Sequence, residues 1–165
     1  MFKRIPSILN AEELLDKAFR KARDTRIYDR NTFYRNKKTI IARTDTFAAN
    51  IISALEKYVK EFPSIEKLPL FYQELIDIKI DVNKLRKSLG AIDWARKNCN
   101  NIYLKQKKSL KKTMNIDFLK QKQREIYGRI SSVVKQVDND LVLLSETQNL
   151  MKKFPEKVQN LMISL

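Results

Sequence analysis

The chain has 165 residues, enough for one compact domain with a buried core. Its 34 Lys and Arg against 19 Asp and Glu give a formal charge of +15, while a hydrophobic fraction of 43% excludes a wholly disordered polypeptide. A single cysteine, Cys99, excludes an intrachain disulfide framework, and the absence of histidine removes the commonest general base and a common zinc ligand.

Only 2 Gly and 4 Pro punctuate the sequence, which favours long helices over a sheet. Met1–Phe2–Lys3–Arg4 is followed by no apolar stretch of signal-peptide type, and nothing approaches the roughly 20 apolar residues that span a bilayer. A cytoplasmic protein with no membrane partner is the simplest expectation.

Asn10 and Glu13 form a capping-box pattern ahead of Leu14, Leu15, Ala18 and Phe19, which places the first helix. A helical period resumes clearly at Phe47, Ile51, Ala54, Leu55, Tyr58 and Phe62, and Pro63 ends it. Pro69 suits the first turn of a short helix carrying Phe71, Tyr72, Leu75, Ile76 and Ile78.

Asp81 caps a helix striped by Leu85, Leu89, Ile92, Cys99 and Ile102, predicted to run from 82 to 112. After a loop at Thr113–Asn115, a last helix over 116–154 carries Leu119, Ile126, Ile130, Val133, Val137, Leu141, Leu144 and Met151. The two form a long antiparallel hairpin within an all-α bundle of four to five helices, the domain occupying 1–155. Gly90 and Gly128 fall inside helices, and close helix–helix approach is the expected reason for both.

The charge is concentrated. Between Lys17 and Arg43 the candidate contacts Arg20, Arg23, Arg26, Arg30, Arg35, Lys37, Lys38 and Arg43 accompany Lys17 and Lys21, against Asp24 and Asp29, a net +8. Between Lys105 and Arg124 stand Lys105, Lys107, Lys108, Lys111, Lys112, Lys120, Lys122 and Arg124 against Asp117 alone, a net +7. The rest of the chain is neutral.

A cationic hairpin tip neutralises phosphates without a pocket. Tyr28, Phe33 and Tyr34 in the first window are placed to stack on unpaired bases. Either window alone reads equally well as a solvated helix face. Both together in a neutral remainder favour RNA as the partner.

Chemistry of other kinds finds no foothold. Cys99 lies in a core stripe, no G-x-x-x-x-G-K-[ST] loop occurs, and no metal ligand set is evident. Glu12–Glu13 belongs to a helix N-terminus, and Asp138 and Asp140 are spaced i,i+2, which does not aim both at one ion. No catalytic residue is assigned.

Several stretches carry a resemblance: Ile5–Pro6–Ser7, Glu13–Leu14–Leu15–Asp16, Phe62–Pro63–Ser64–Ile65, Leu68–Pro69–Leu70–Phe71–Tyr72–Gln73–Glu74–Leu75, Lys84–Leu85–Arg86–Lys87–Ser88–Leu89–Gly90–Ala91, and Tyr127–Gly128–Arg129–Ile130–Ser131–Ser132 through to Phe154–Pro155. In this order they make the chain similar to the N-terminal helical domain of the nucleolar GTP-binding protein (Nog) family, Obg-related GTPases of large-subunit ribosome assembly, and most similar to its archaeal branch. The segment Arg26–Lys38 departs from the family pattern and rests on the charge argument alone.

The resemblance implies a bundle docking on ribosomal RNA of the large-subunit precursor, with ribosomal proteins or an attached GTPase domain as further partners. It implies no cofactor for these residues. GTP and Mg belong to the family's nucleotide-binding domain, which would follow residue 155, so that 156–165 reads as a tail and Asn160–Leu165 as the start of that domain's first strand. The competing reading is a protein-interaction bundle that docks on its GTPase domain or on an acidic partner.

Overall fold

A computed structural model describes residues 7–163; Met1–Pro6, including Ile5 and Pro6 of the first matching stretch, and residues 164–165 lie outside the described residues. Seven α-helices are present among them: α1 (Ala11–Asp24), α2 (Thr32–Lys60), α3 (Leu70–Ile80), α4 (Val82–Lys112), α5 (Ile116–Gln136), α6 (Asp138–Met151) and α7 (Glu156–Ile163). No helix is long and apolar enough to cross a membrane among the described residues.

α1, α2, α4 and the α5–α6 pair run up, down, up and down as an antiparallel bundle. Local signals fix α1 and α4. Asn10 accepts from the Glu13 amide while the Glu13 carboxylate accepts from the Asn10 amide, the reciprocal cap expected from the sequence. The Asp81 carboxylate accepts from the amides of Asn83 and Lys84 at the head of α4. α4 keeps its expected limits, and its 31 residues make a rod roughly 46 Å long.

The main core runs through the bundle. Phe47, Ile51 and Leu55 from α2 meet Leu85, Ile92 and Leu110 from α4 and Leu119, Ile126 and Ile130 from α5. Phe19, Phe47 and Tyr127 tie α1, α2 and α5 through ring centroids 4.5 to 5.2 Å apart. Cys99 is fully buried there, and burial pushes its thiol up to about 12, so it packs as a small apolar residue. Leu68, Ile76, Met151, Phe154, Val158 and Met162 form a second, smaller cluster at the end opposite the hairpin tip.

Four features differ from the sequence pattern or extend it. α2 contains the expected stripe from Phe47 and begins earlier, at Thr32, where its first turns bury little beyond Ile40 and Thr44 and so show no strong apolar period. The last long helix is interrupted at Val137, whose ψ of 18° and bond to Val134 tighten one turn before α6 begins. The break aims Asp138 at the Ala11 amide (2.9 Å), satisfying an orphan donor of α1, and Asp140 at the Ser88 hydroxyl (2.7 Å).

The third correction concerns residues 156–163, which fold as α7 and pack Val158 and Met162 into the second cluster; Asn160–Ile163 is helical, not the start of a strand. The fourth concerns Gly90 and Gly128. Both face open space, with no atom within 4 Å of where a side-chain carbon would stand, so neither mediates a close helix contact.

Candidate nucleic-acid interface

Three elements of the basic windows converge at the hairpin end: the loop 25–31 with the start of α2, the end of α4, and the start of α5. The Lys37 ammonium donates to the Lys111 main-chain carbonyl at 2.9 Å, which joins the two windows directly. Gln123 of α5 donates to the Ile40 carbonyl and the Thr44 hydroxyl of α2, both at 3.3 Å. The part of the first window from Arg26 to Lys38 and the second window therefore meet on one surface.

Helix ends add to its field. α2 and α5 both start here, capped by Asn31 and Asn115, and the positive ends of their dipoles attract anions. α2 has no acid in its first turn, and α4 ends in Lys111 and Lys112, which complement its negative end.

The sixteen candidate cations divide by what they touch. Lys38 is tied to Asp29 at 2.7 Å, Lys122 to Glu125 at 3.3 Å, and the Arg43 side chain donates to the Thr25 carbonyl. Lys107 lies over the Tyr103 ring, 5.4 Å from its centroid. Arg26, Arg30, Arg35, Lys105, Lys108, Lys111, Lys112, Lys120 and Arg124 are exposed and make no salt bridge among the described residues. They are the groups available to phosphate.

Arg20 and Arg23 stand apart. α1 ends beside Thr46, where Thr25 bonds its hydroxyl, about 20 Å along α2 from Thr32. There they line a shallow groove along α1 with Glu13 and Asp16, acids that weaken its pull on phosphate.

The aromatic expectation resolves in detail. Tyr28 is 84% exposed in the loop between Arg26 and Arg30, and Tyr34 is exposed at the head of α2. Phe33 is half-buried against Tyr34, with ring centroids 5.4 Å apart. Two flat rings thus stand among unpaired guanidinium groups.

One acid intrudes. Asp45 of α2 lines a groove of 460 Å³ with Tyr103, Asn100 and Lys107 of α4. Desolvation raises its carboxyl above the ordinary value, against the opposing pull of Lys107 and Lys111. One Asp45 carboxylate oxygen, the Tyr103 hydroxyl and the Gln106 side-chain oxygen are buried without hydrogen-bond partners. Charge counting along the sequence gave no sign of them. Among the described residues no cluster of three or more His, Cys, Asp or Glu is placed to hold a metal ion.

Comparison with known proteins bears on the whole chain. Residues 2–157 match the model of the NOG1 N-terminal helical domain. The chain belongs to this family. It is 24% identical over 158 residues to the uncharacterized protein MJ1408 of Methanocaldococcus jannaschii, covering 93% of this chain and 45% of that protein. It is 25% identical over 157 residues to nucleolar GTP-binding protein 1 of Saccharomyces cerevisiae, covering 93% of this chain and 24% of the relative. To the protein of that name in Encephalitozoon cuniculi it is 28% identical over 103 residues, 62% of this chain and 20% of the relative.

The chain thus spans less than half the length of these relatives. The match to the NOG1 domain takes in both basic windows and both faces of the α4–α5 hairpin, so the surface described above lies wholly inside the family's helical domain.

Proposed function

We propose that the chain is the RNA-docking helical domain of a large-subunit ribosome-assembly GTPase. The observation that carries this reading is the joining of the two basic windows, through Lys37 and Lys111, into one acid-poor end bearing exposed Tyr28 and Tyr34. Such an end neutralises several phosphates at once and offers rings to unpaired bases. In this reading phosphates position the domain and the shape of the RNA selects it.

Catalysis is assigned to no residue of this chain. GTP and its magnesium ion belong, in this reading, to a nucleotide-binding domain of the kind the relatives' name implies, and the bundle positions that domain on the precursor particle. Its place of work is wherever that particle is assembled: the nucleolus for the relatives so named, the cytoplasm for a cell without one.

The test is binding of the chain to structured fragments of large-subunit ribosomal RNA across a salt series. The expected result is a steep fall of affinity with salt and a marked loss when Lys107, Lys108, Lys111 and Lys112 are changed to Glu. Affinity no greater than for an acidic protein control, or unaltered by the fourfold charge reversal, overturns the reading.

A second reading draws on α3. Leu70, Phe71 and Ile78 are 68%, 67% and 82% exposed on one side of this helix, at the end away from the basic tip. This apolar face suits a protein neighbour such as the attached GTPase domain, whereas the Phe47–Phe62 stripe is committed to the core. Changing Leu70, Phe71 and Ile78 to Ser, with RNA affinity retained, tests it by loss of protein association.

A further inference from the structure

The outward face of α4 continues the cationic tip, where Lys105, Lys108 and Lys112 stand, along the helix to Lys97 and Lys87. α4 carries ten Lys and Arg and one acid, Asp93. Its buried side chains, Leu85, Ser88, Ile92, Ala95, Cys99, Tyr103, Gln106 and Leu110, take one side of the helix. At 3.6 residues per turn the opposite side carries Lys87, Gly90, Trp94, Lys97, Asn101, Leu104, Lys105, Lys108 and Lys112, every one exposed.

Asp93 sits at the edge of this face and is already neutralised, bonded to Arg96 at 2.9 Å and to Lys97 at 3.1 Å. Those bonds hold its carboxyl below the ordinary value. From Lys87 to Lys112 the face runs for about 37 Å with no free carboxylate of its own helix.

Two features mark it as more than a solvated surface. Trp94, the single tryptophan of the chain, is 47% exposed in the middle of it. Gly90, one turn before on the same face, stands in open space, with nothing within 4 Å of the missing side chain. An exposed flat ring one turn from bare helix backbone leaves room on the face for a sugar or base.

We infer that the outward face of α4 binds the sugar–phosphate backbone of a structured RNA along its length, with Trp94 stacked on an exposed base or ribose. The inference rests on the RNA-docking reading above and extends the contact from the hairpin tip to Lys87. Lys87, Lys97, Lys105, Lys108 and Lys112 stand along the face at intervals of about 15, 12, 4.5 and 6 Å, so one strand of RNA lying along the helix meets several of them. The only large apolar groups on the face are Trp94 and Leu104, about 15 Å apart, too few and too separate for insertion into a lipid surface.

Trp94 is itself the probe. Titration of the chain with a fluorescently labelled ribosomal RNA fragment gives overall binding from anisotropy and contact at α4 from tryptophan emission. The expected result is quenching or a spectral shift of Trp94 that saturates together with the anisotropy.

A variant combining Lys87→Glu with Asn101→Glu then weakens binding by roughly tenfold at moderate salt. A variant with the same change of charge at the end of α6 and the residue after it, Asn149→Glu with Lys152→Glu, weakens it far less. Matching far-ultraviolet spectra and melting curves establish that both variants fold.

If the chain binds RNA, loses it on charge reversal at the tip, leaves Trp94 emission unchanged and treats the α4 and α6 variants alike, the inference is overturned and the docking reading stands. If the chain binds no RNA, both fall. Trp94 quenched by anionic vesicles or an acidic protein but not by RNA assigns the face to that partner and overturns the inference.

Discussion

The Lys37 ammonium, five residues into α2, reaches 2.9 Å to the carbonyl of Lys111, the penultimate residue of α4. A cation thus spends its charge on an orphan carbonyl at the negative end of a helix, and in doing so fastens two strongly cationic segments that would otherwise repel each other. The tie sets the spacing between Arg35 on one side and Lys111 and Lys112 on the other.

Lys37→Met removes that tie. The bond is charge-assisted but exposed, so the expected loss is about 0.5–1 kcal/mol of stability. Amide exchange should accelerate at the end of α4 before it does elsewhere. Because this ammonium is already engaged, the salt slope of RNA binding should fall by less than it does for Lys108→Met, which gives up a free cation. Equal slopes for the two variants would show that Lys37 also reaches phosphate.

Gly90 and Gly128 yield a prediction opposite to the one the sequence suggests. Glycine in a helix interior costs roughly 1 kcal/mol relative to alanine, and here no neighbour blocks the added methyl. Gly128→Ala should therefore stabilise the fold by about 0.5–1 kcal/mol, a rise of a few degrees in Tm for a chain of this size. A lower Tm would reveal a contact absent from the structure. The same exchange at Gly90 carries the same gain, which makes any loss of RNA affinity there attributable to the α4 face.

Asp81 does two things at once. It is the one non-glycine residue with a positive φ among the described residues, at 70°, and it caps α4 through two amides while Asp77 accepts from the Val82 amide. Asp81→Ala keeps the strained backbone and loses the cap, for an expected cost of about 1–2 kcal/mol in urea denaturation. Asp81→Asn, which retains both the cap and the tolerance for this conformation, should cost far less. Equal losses would mean that the carboxylate charge, not the cap geometry, matters.

What the sequence reveals follows from where the determining interactions lie. Asn10, Glu13, Asp81 and Asn115 act within three residues of themselves, so α1, α4 and the hairpin loop are legible from local pattern alone. The break at Val137 is not, since the apolar stripe passes through it with neither Gly nor Pro. The contact that accompanies it is tertiary: Asp138 accepts from the amide of Ala11, 127 residues away.

The site divides in the same manner. Counting charges along the chain finds the two windows, but their union depends on one side chain crossing from α2 to α4. Lys87, Trp94 and Lys97 escaped notice because single cations separated by apolar residues look ordinary in a linear count. Only the helical period shows that the intervening apolar residues face away.

Asp45 gives the fold a pH dependence of definite sign. Burial raises its folded-state pKa above the ordinary value near 3.8, so folding disfavours the ionised form. Above the folded pKa the carboxylate is charged in both states and its desolvation subtracts from stability. As pH falls through the folded pKa the native state takes up the proton first, and below the unfolded value the penalty is gone. Asp45→Asn should therefore raise Tm at pH 7 and leave it nearly unchanged at pH 3. Lys107 and Lys111 partly offset the penalty, and phosphates bound to those lysines would withdraw that support from Asp45. The same variant should consequently tighten RNA binding at pH 7, with a smaller effect as the pH is lowered. A Tm that falls equally at both pH values would show that the carboxylate is held by a hydrogen bond rather than burdened by burial.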